Sequence, residues 1–70
     1  MLKKRSVMLS GHATSVALEP EFWVILDRIA GERGLSHAAL LAWVDATRGR
    51  RPLASACRLL ALEQSTRPPS

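Results

Sequence analysis

Two periodicities meet within a dozen residues of this chain. From Ala13 to Leu18 the side chains alternate, with Thr14, Val16 and Leu18 on one side and Ala13, Ser15 and Ala17 on the other. That is the period-two pattern of a strand over 13–18, covered on one face. Glu19-Pro20-Glu21 then changes the period. Pro suits a first helical turn, where its missing N–H would have no partner, and the acids complement the positive end of a helix. Phe22, Ile25, Leu26, Ile29 and Ala30 follow at i, i+3, i+4, i+7 and i+8, a complete amphipathic stripe, while Asp27, Arg28 and Glu32 fall on the solvent side.

This spacing predicts a helix over about 20–33, closed by a left-handed cap at Gly34. Ser36 is placed to start a second helix over about 36–48, with Leu40, Leu41 and Val44 inward, and Gly49-Arg50-Arg51-Pro52 breaks it. A third helix, about 53–64, offers Leu53, Ala56, Cys57 and Leu60, with Leu59 and Leu62 widening the apolar face. Residues 1–11 read as a basic arm ending in a Ser-Gly turn signal, residues 12–64 as the folded domain, and 65–70 as a flexible, Pro-rich tail.

The expected inventory is mainly α with one short strand, and a lone strand has exposed edges that template another strand. A second copy pairing antiparallel through the same residues puts a two-fold axis through the ribbon and sets Val16 and Leu18 over a shared helical core. The opposite face, Ala13, Ser15 and Ala17 from each chain, stays open, and a two-stranded ribbon fits the DNA major groove. A rival arrangement is an intrachain hairpin with Ser10-Gly11 as the turn and Ser6 to Leu9 as the second strand, which brings Lys4 and Ser6 onto the open face with Ser15. The two are compatible, because a hairpin still leaves a free edge.

Composition changes this picture little. At 70 residues there is room for one domain, and a 47% apolar content in so short a chain suits a core completed in an oligomer. Ten Lys and Arg against six Asp and Glu leave a charge of +4, which suits a polyanion. Cys57 is alone within an apolar run and reads as a buried structural thiol. Lys3-Lys4-Arg5 resembles the basic region of a signal peptide, but the apolar run after it, Val7 to Leu9, is too short for one, and no stretch approaches a membrane span. A cytoplasmic location is expected.

With those residues in place, strand, helix, Gly-x-Ser, helix resembles the ribbon-helix-helix repressors, the superfamily of the Arc and methionine repressors. The stretch "RSVMLSGHATSVALEPEFWVILDRIAGERGLS" is more closely similar to small stand-alone bacterial ribbon-helix-helix proteins that share the Gly-His-x-Thr-Ser-Val segment and the Glu-Phe-Trp helix start. The resemblance implies an intertwined homodimer with an intermolecular antiparallel β-ribbon, plus a third C-terminal helix. It also implies that Ala13, Ser15 and Ala17 face bases and that Leu35, Ser36 and His37, at the start of the second helix, hold a phosphate. The core of such a dimer would comprise Val16, Leu18, Phe22, Ile25, Leu26, Ile29, Leu41 and Val44. Base-facing positions in this superfamily are usually polar or basic; here alanine methyls can only touch a thymine methyl, and Ser15 alone can donate or accept.

Lys3, Lys4 and Arg5 read as further phosphate contacts, with a solvated terminus as the alternative. Trp23 and Trp43 read as dimer-core packing, with base stacking as the alternative. Arg48, Arg50 and Arg51 read as a solvated cluster at a helix end. His12 and His37 lack metal-ligand spacing, no cofactor is expected, and no residue pattern suggests catalysis. Two functions follow: a homodimeric DNA-binding regulator of transcription, acting as single or paired dimers on double-stranded DNA, or the same dimer as a protein-interaction module, antitoxin-like or adaptor. The exposure of Leu59 and Leu62 in the dimer separates them: buried against the first two helices or the other protomer they are core, and exposed as a continuous patch they argue for a protein partner.

Overall fold

The computed structural model describes residues 1–65. Two strands, β1 (Lys3–Leu9) and β2 (His12–Leu18), form an antiparallel sheet and are followed by three helices, α1 (Pro20–Glu32), α2 (His37–Thr47) and α3 (Leu53–Ser65). The expectation of a single strand behind a basic arm is therefore corrected. Residues of the arm form β1, which pairs from Lys3↔Leu18 to Leu9↔His12 around a two-residue turn. Ser10 and Gly11 both adopt positive φ, 52° and 80°, the pair of left-handed residues that matches the twist of the strands. The expected tail lies outside the described residues, save for Ser65.

The hairpin is held from below. Arg5, Val7 and Leu9 of β1 share the inner face with Thr14, Val16 and Leu18 of β2. Val7, Leu9, Val16 and Leu18 are almost fully buried among the helices. A free two-stranded hairpin is marginal in water. Burying four aliphatic side chains contributes on the order of 6–12 kcal/mol before conformational entropy is counted.

The register of α1 differs from the expected stripe. Trp23, with Leu26, Ile29 and Ala30, is buried, whereas Phe22 and Ile25 are only half-buried. The cause is β1: the Trp23 indole Nε1 donates to the Lys3 carbonyl at 2.8 Å, so the helix turns its largest side chain toward the hairpin. Gly34 (φ 67°) ends α1, with Leu35 N–H reaching the Ala30 carbonyl at 2.8 Å and Gly34 N–H the Gly31 carbonyl at 3.2 Å. Ser36 caps α2, its Oγ accepting from Ala39 N–H at 3.0 Å. Leu40, Leu41 and Val44 of α2, and Cys57 and Ala61 of α3, complete the core, with Leu53, Ala56 and Leu60 packed at its edge. Burial pushes the Cys57 thiol up to about 11, so it stays protonated at neutral pH, as a structural thiol does. Glu19 pins α3 to the start of α1 by taking two hydrogen bonds from Arg58, at 3.0 and 2.9 Å.

Gly11→Ala isolates the turn, because no atom lies within 4 Å of the added Cβ and only the positive φ is penalised. Urea unfolding should show a loss of about 1–2 kcal/mol, while Ser10→Asn, better suited to its own left-handed φ, should be neutral or stabilising.

Candidate nucleic-acid interface

The alternation of β1 and β2 leaves one face of the sheet open. Register puts Lys4 opposite Ala17, Ser6 opposite Ser15 and Met8 opposite Ala13. All are exposed except the half-buried Ala17. The three expected strand positions thus share a face with Lys4 and Ser6, as the hairpin register requires. Met8, 62% exposed, is a neighbour that the sequence reading did not single out. It would have been found by extending that same register to the last open-face pair before the turn, Met8 with Ala13.

Backbone groups are available as well. In a two-residue hairpin the pair flanking the turn is hydrogen-bonded, and bonded pairs alternate with non-bonded ones. Ala13, Ser15 and Ala17 therefore direct their amides and carbonyls to the outer edge of β2. The same three residues offer side chains to the open face and backbone to a further strand.

The six phosphate positions named from sequence do not form one cluster. Lys4 stands on the open face, and the exposed Lys3 falls on the opposite parity, beside Leu18. Arg5 is committed underneath. Its guanidinium donates to both carboxylate oxygens of Asp27, at 2.9 and 3.1 Å, and lies 4.5 Å from the centre of the Trp23 ring. It also donates to His37 Nδ1 at 3.2 Å, which brings it to the N-terminus of α2. At that helix start the Leu35 amide is already spent on Ala30 and the Ser36 hydroxyl on Ala39. The amides of His37 and Ala38 remain without an intrahelical acceptor. His37 Nε2 is buried without a hydrogen-bond partner, and its ring lies 5.5 Å from that of Trp23.

Arg5 holds the Asp27 carboxyl below the usual carboxylate range, chiefly by its hydrogen bonds; burial opposes them, and the Arg5 charge adds a lesser lowering. Glu19 is also lowered, by its own backbone N–H first and by Arg58 second. Among the described residues no three His, Cys, Asp or Glu side chains converge as a metal site, and no helix is long and apolar enough to cross a membrane.

Trp43 is 47% exposed on α2 of the single chain, with Arg33 stacked 5.3 Å from its ring centre. Leu59 and Leu62 are 40% and 55% exposed, so the apolar face of α3 is only partly used inside the chain. Of the residues expected at a dimer core, Val16, Leu18, Leu26, Ile29, Leu41 and Val44 are buried within the single chain, with Phe22 and Ile25 at the margin. Val7 and Leu9 of β1 supply cover that a lone strand would have lacked.

A family model described as a ribbon-helix-helix domain matches residues 2–65. The chain belongs to the ribbon-helix-helix family, whose members are in general DNA-binding regulators of transcription or antitoxins. Searches of curated proteins and of solved structures gave no match.

The Arg5–Asp27 pair predicts a pH dependence with a definite sign. A carboxyl lowered in the native state contributes stability above its unfolded pKa, and the contribution is lost as pH falls through the native value. Asp27 is half-exposed, so its share is at most about 1 kcal/mol. Denaturant titrations should show Asp27→Asn less stable than the parent at pH 6, with the gap closing in acid, below about pH 4.

Proposed function

We propose that the chain is a homodimeric DNA-binding protein, a bacterial cytoplasmic regulator of transcription, that presents the open face of its hairpin to the major groove. The single observation behind this reading is that face: Lys4, Ser6, Met8, Ala13, Ser15 and Ala17 lie in register and uncovered, in a chain of the ribbon-helix-helix family.

Dimerisation pairs the outer edge of β2 with that of a second copy. Keeping Val16 and Leu18 inward on both chains restricts the register to steps of two, and full overlap of His12–Leu18 centres the two-fold axis on Ser15. The result is a four-stranded sheet with the order β1, β2, β2, β1. Its middle row is Ser6, Ser15, Ser15 and Ser6, and each flanking row runs Lys4, Ala17, Ala13, Met8.

Strand spacing assigns the roles. Neighbouring strands lie about 4.8 Å apart, so β2 runs about 2.4 Å and β1 about 7 Å from the axis. The major groove is about 12 Å wide. The two β2 strands fit between the walls and the β1 strands meet them, which gives Lys4 to phosphates and Ser15 to base edges. Small side chains at Ala13 and Ala17 let the backbone approach the bases but supply no bidentate contact. Affinity then comes chiefly from charge, and sequence preference is slight.

The exposure of Trp43, Leu59 and Leu62 supports a second reading, in which the same dimer is an interaction module of the antitoxin or adaptor kind.

Three outcomes test the first reading. Ser15→Cys should crosslink two chains under mild oxidation, because opposed residues on paired strands lie about 5.5 Å apart at Cα, within disulfide reach; a monomeric, uncrosslinked product would refute the pairing. With Lys4 contributing from both chains, log affinity should fall with log salt at a slope of about −1.8, and Lys4→Ala should weaken all duplexes alike and flatten that slope toward zero. Ser15→Ala should cost at most about 1–3 kcal/mol at one base position per half-site. A protein that binds no duplex at low salt would leave the interaction module as the reading to keep.

A further inference from the structure

The open face of the hairpin carries one large apolar side chain. Met8 is 62% exposed there, while its strand neighbours Val7 and Leu9 are buried on the other face. Opposite it stands the exposed Ala13. Neither is among the side chains packed in or against the core, and neither makes the turn, which is Ser10 and Gly11. Under the proposed pairing of two hairpins through β2, each flanking row joins Met8 and Ala13 of one protomer to Ala17 and Lys4 of the other. Three apolar groups then lie side by side across about 10 Å, with a cation at the far end. A copy attached at the strand edge leaves this face uncovered.

We propose that these two rows are sites for the C5-methyl groups of pyrimidines in duplex DNA, and that Met8 sets the preference for them. This rests on the reading of the hairpin face as a major-groove surface, and names what that face selects. Every base pair presents donors or acceptors in the major groove, and the one apolar group there is the C5-methyl of thymine. A thioether or an alanine methyl has nothing to offer an amino or carbonyl group. Placed over one, it removes water without replacing the lost hydrogen bond. Placed over a C5-methyl, it takes apolar surface out of water at no such cost. Each row therefore discriminates by burial, and a face without a bidentate reader still has a modest preference. Met8 reaches where an alanine would not. Its side chain is unbranched and polarizable, with three rotatable bonds, and can lean from β1 over Ala13 toward the bases. Lys4, at the other end of the row, meets phosphate and takes no part in the choice. The favoured duplex carries methyls on both sides of the two-fold axis, with the serine row between them.

The test uses the full chain at low salt and four duplexes of equal length. One is a mixed A·T sequence, and the second is its copy with deoxyuridine for every thymine. The third is a mixed G·C sequence, and the fourth is its copy with every cytosine methylated at C5. Within each pair the charge and the base-pairing groups are the same, and only the methyls differ. Burying one methyl is worth about fourfold, so with one in each row the thymine duplex should bind on the order of tenfold tighter than its uridine copy. Methylation of the G·C duplex should raise its affinity as well. Met8→Gln puts a polar side chain of similar length at an exposed position. It should keep the parent melting temperature and the affinity for the uridine duplex, and lower the thymine preference by about threefold or more. Met8→Leu should retain that preference. Equal affinity for the thymine and uridine duplexes, or a Met8→Gln protein with the full preference, would overturn the proposal and leave the groove-binding reading standing. A chain that binds none of the four duplexes would overturn that reading and the proposal with it.

Discussion

The antiparallel pairing of β1 with β2 is the constraint on which everything else in this molecule depends. A two-residue turn with both residues at positive φ fixes the register, and register fixes which side chains are inside. Slipped by one residue against β2, β1 would turn Val7 and Leu9 to water and Lys4 and Ser6 to the helices. The helices read this register in turn. Trp23 is drawn inward by the Lys3 carbonyl, Arg5 is trapped between Trp23 and Asp27, and His37 at the start of α2 completes that cluster.

A strand looking for a partner thus finds one within its own chain. The two edges of β2 therefore differ: the inner edge pairs with β1, and the outer edge is the one that the proposed dimer uses. Among the described residues thirteen apolar side chains are buried within the single chain. What a second copy contributes under the proposed pairing is breadth, because two hairpins side by side span the groove and carry positive charge to both of its walls.

The three helices were legible because each announces itself locally. Pro20 opens α1, Gly34 closes it, Ser36 caps α2 and Gly49 with Pro52 separates α2 from α3. The hairpin was less legible, since Ser10-Gly11 is a weaker turn signal than Asn-Gly and Lys3 to Leu9 contains three charges and only a short apolar run. The orientation of α1 could not be read from its own stripe. Phe22 and Trp23 both fit an apolar face, and only a hydrogen bond to β1, twenty residues away, selects Trp23. The open strand face followed from alternation alone. Arg5 could not be separated from Lys4 without knowing that the arm is a strand, because in a flexible arm neighbouring cations are equivalent and in a strand they face opposite ways.

The most direct measurement of what the hairpin face does is a titration of the labelled chain with a short duplex, followed by backbone and methyl resonances. Groove insertion predicts the largest shifts at Lys4, Ser6, Met8, Ala13, Ser15 and Ala17, with α3 unmoved. Shifts confined to the helices, or no shift at low salt, would contradict it.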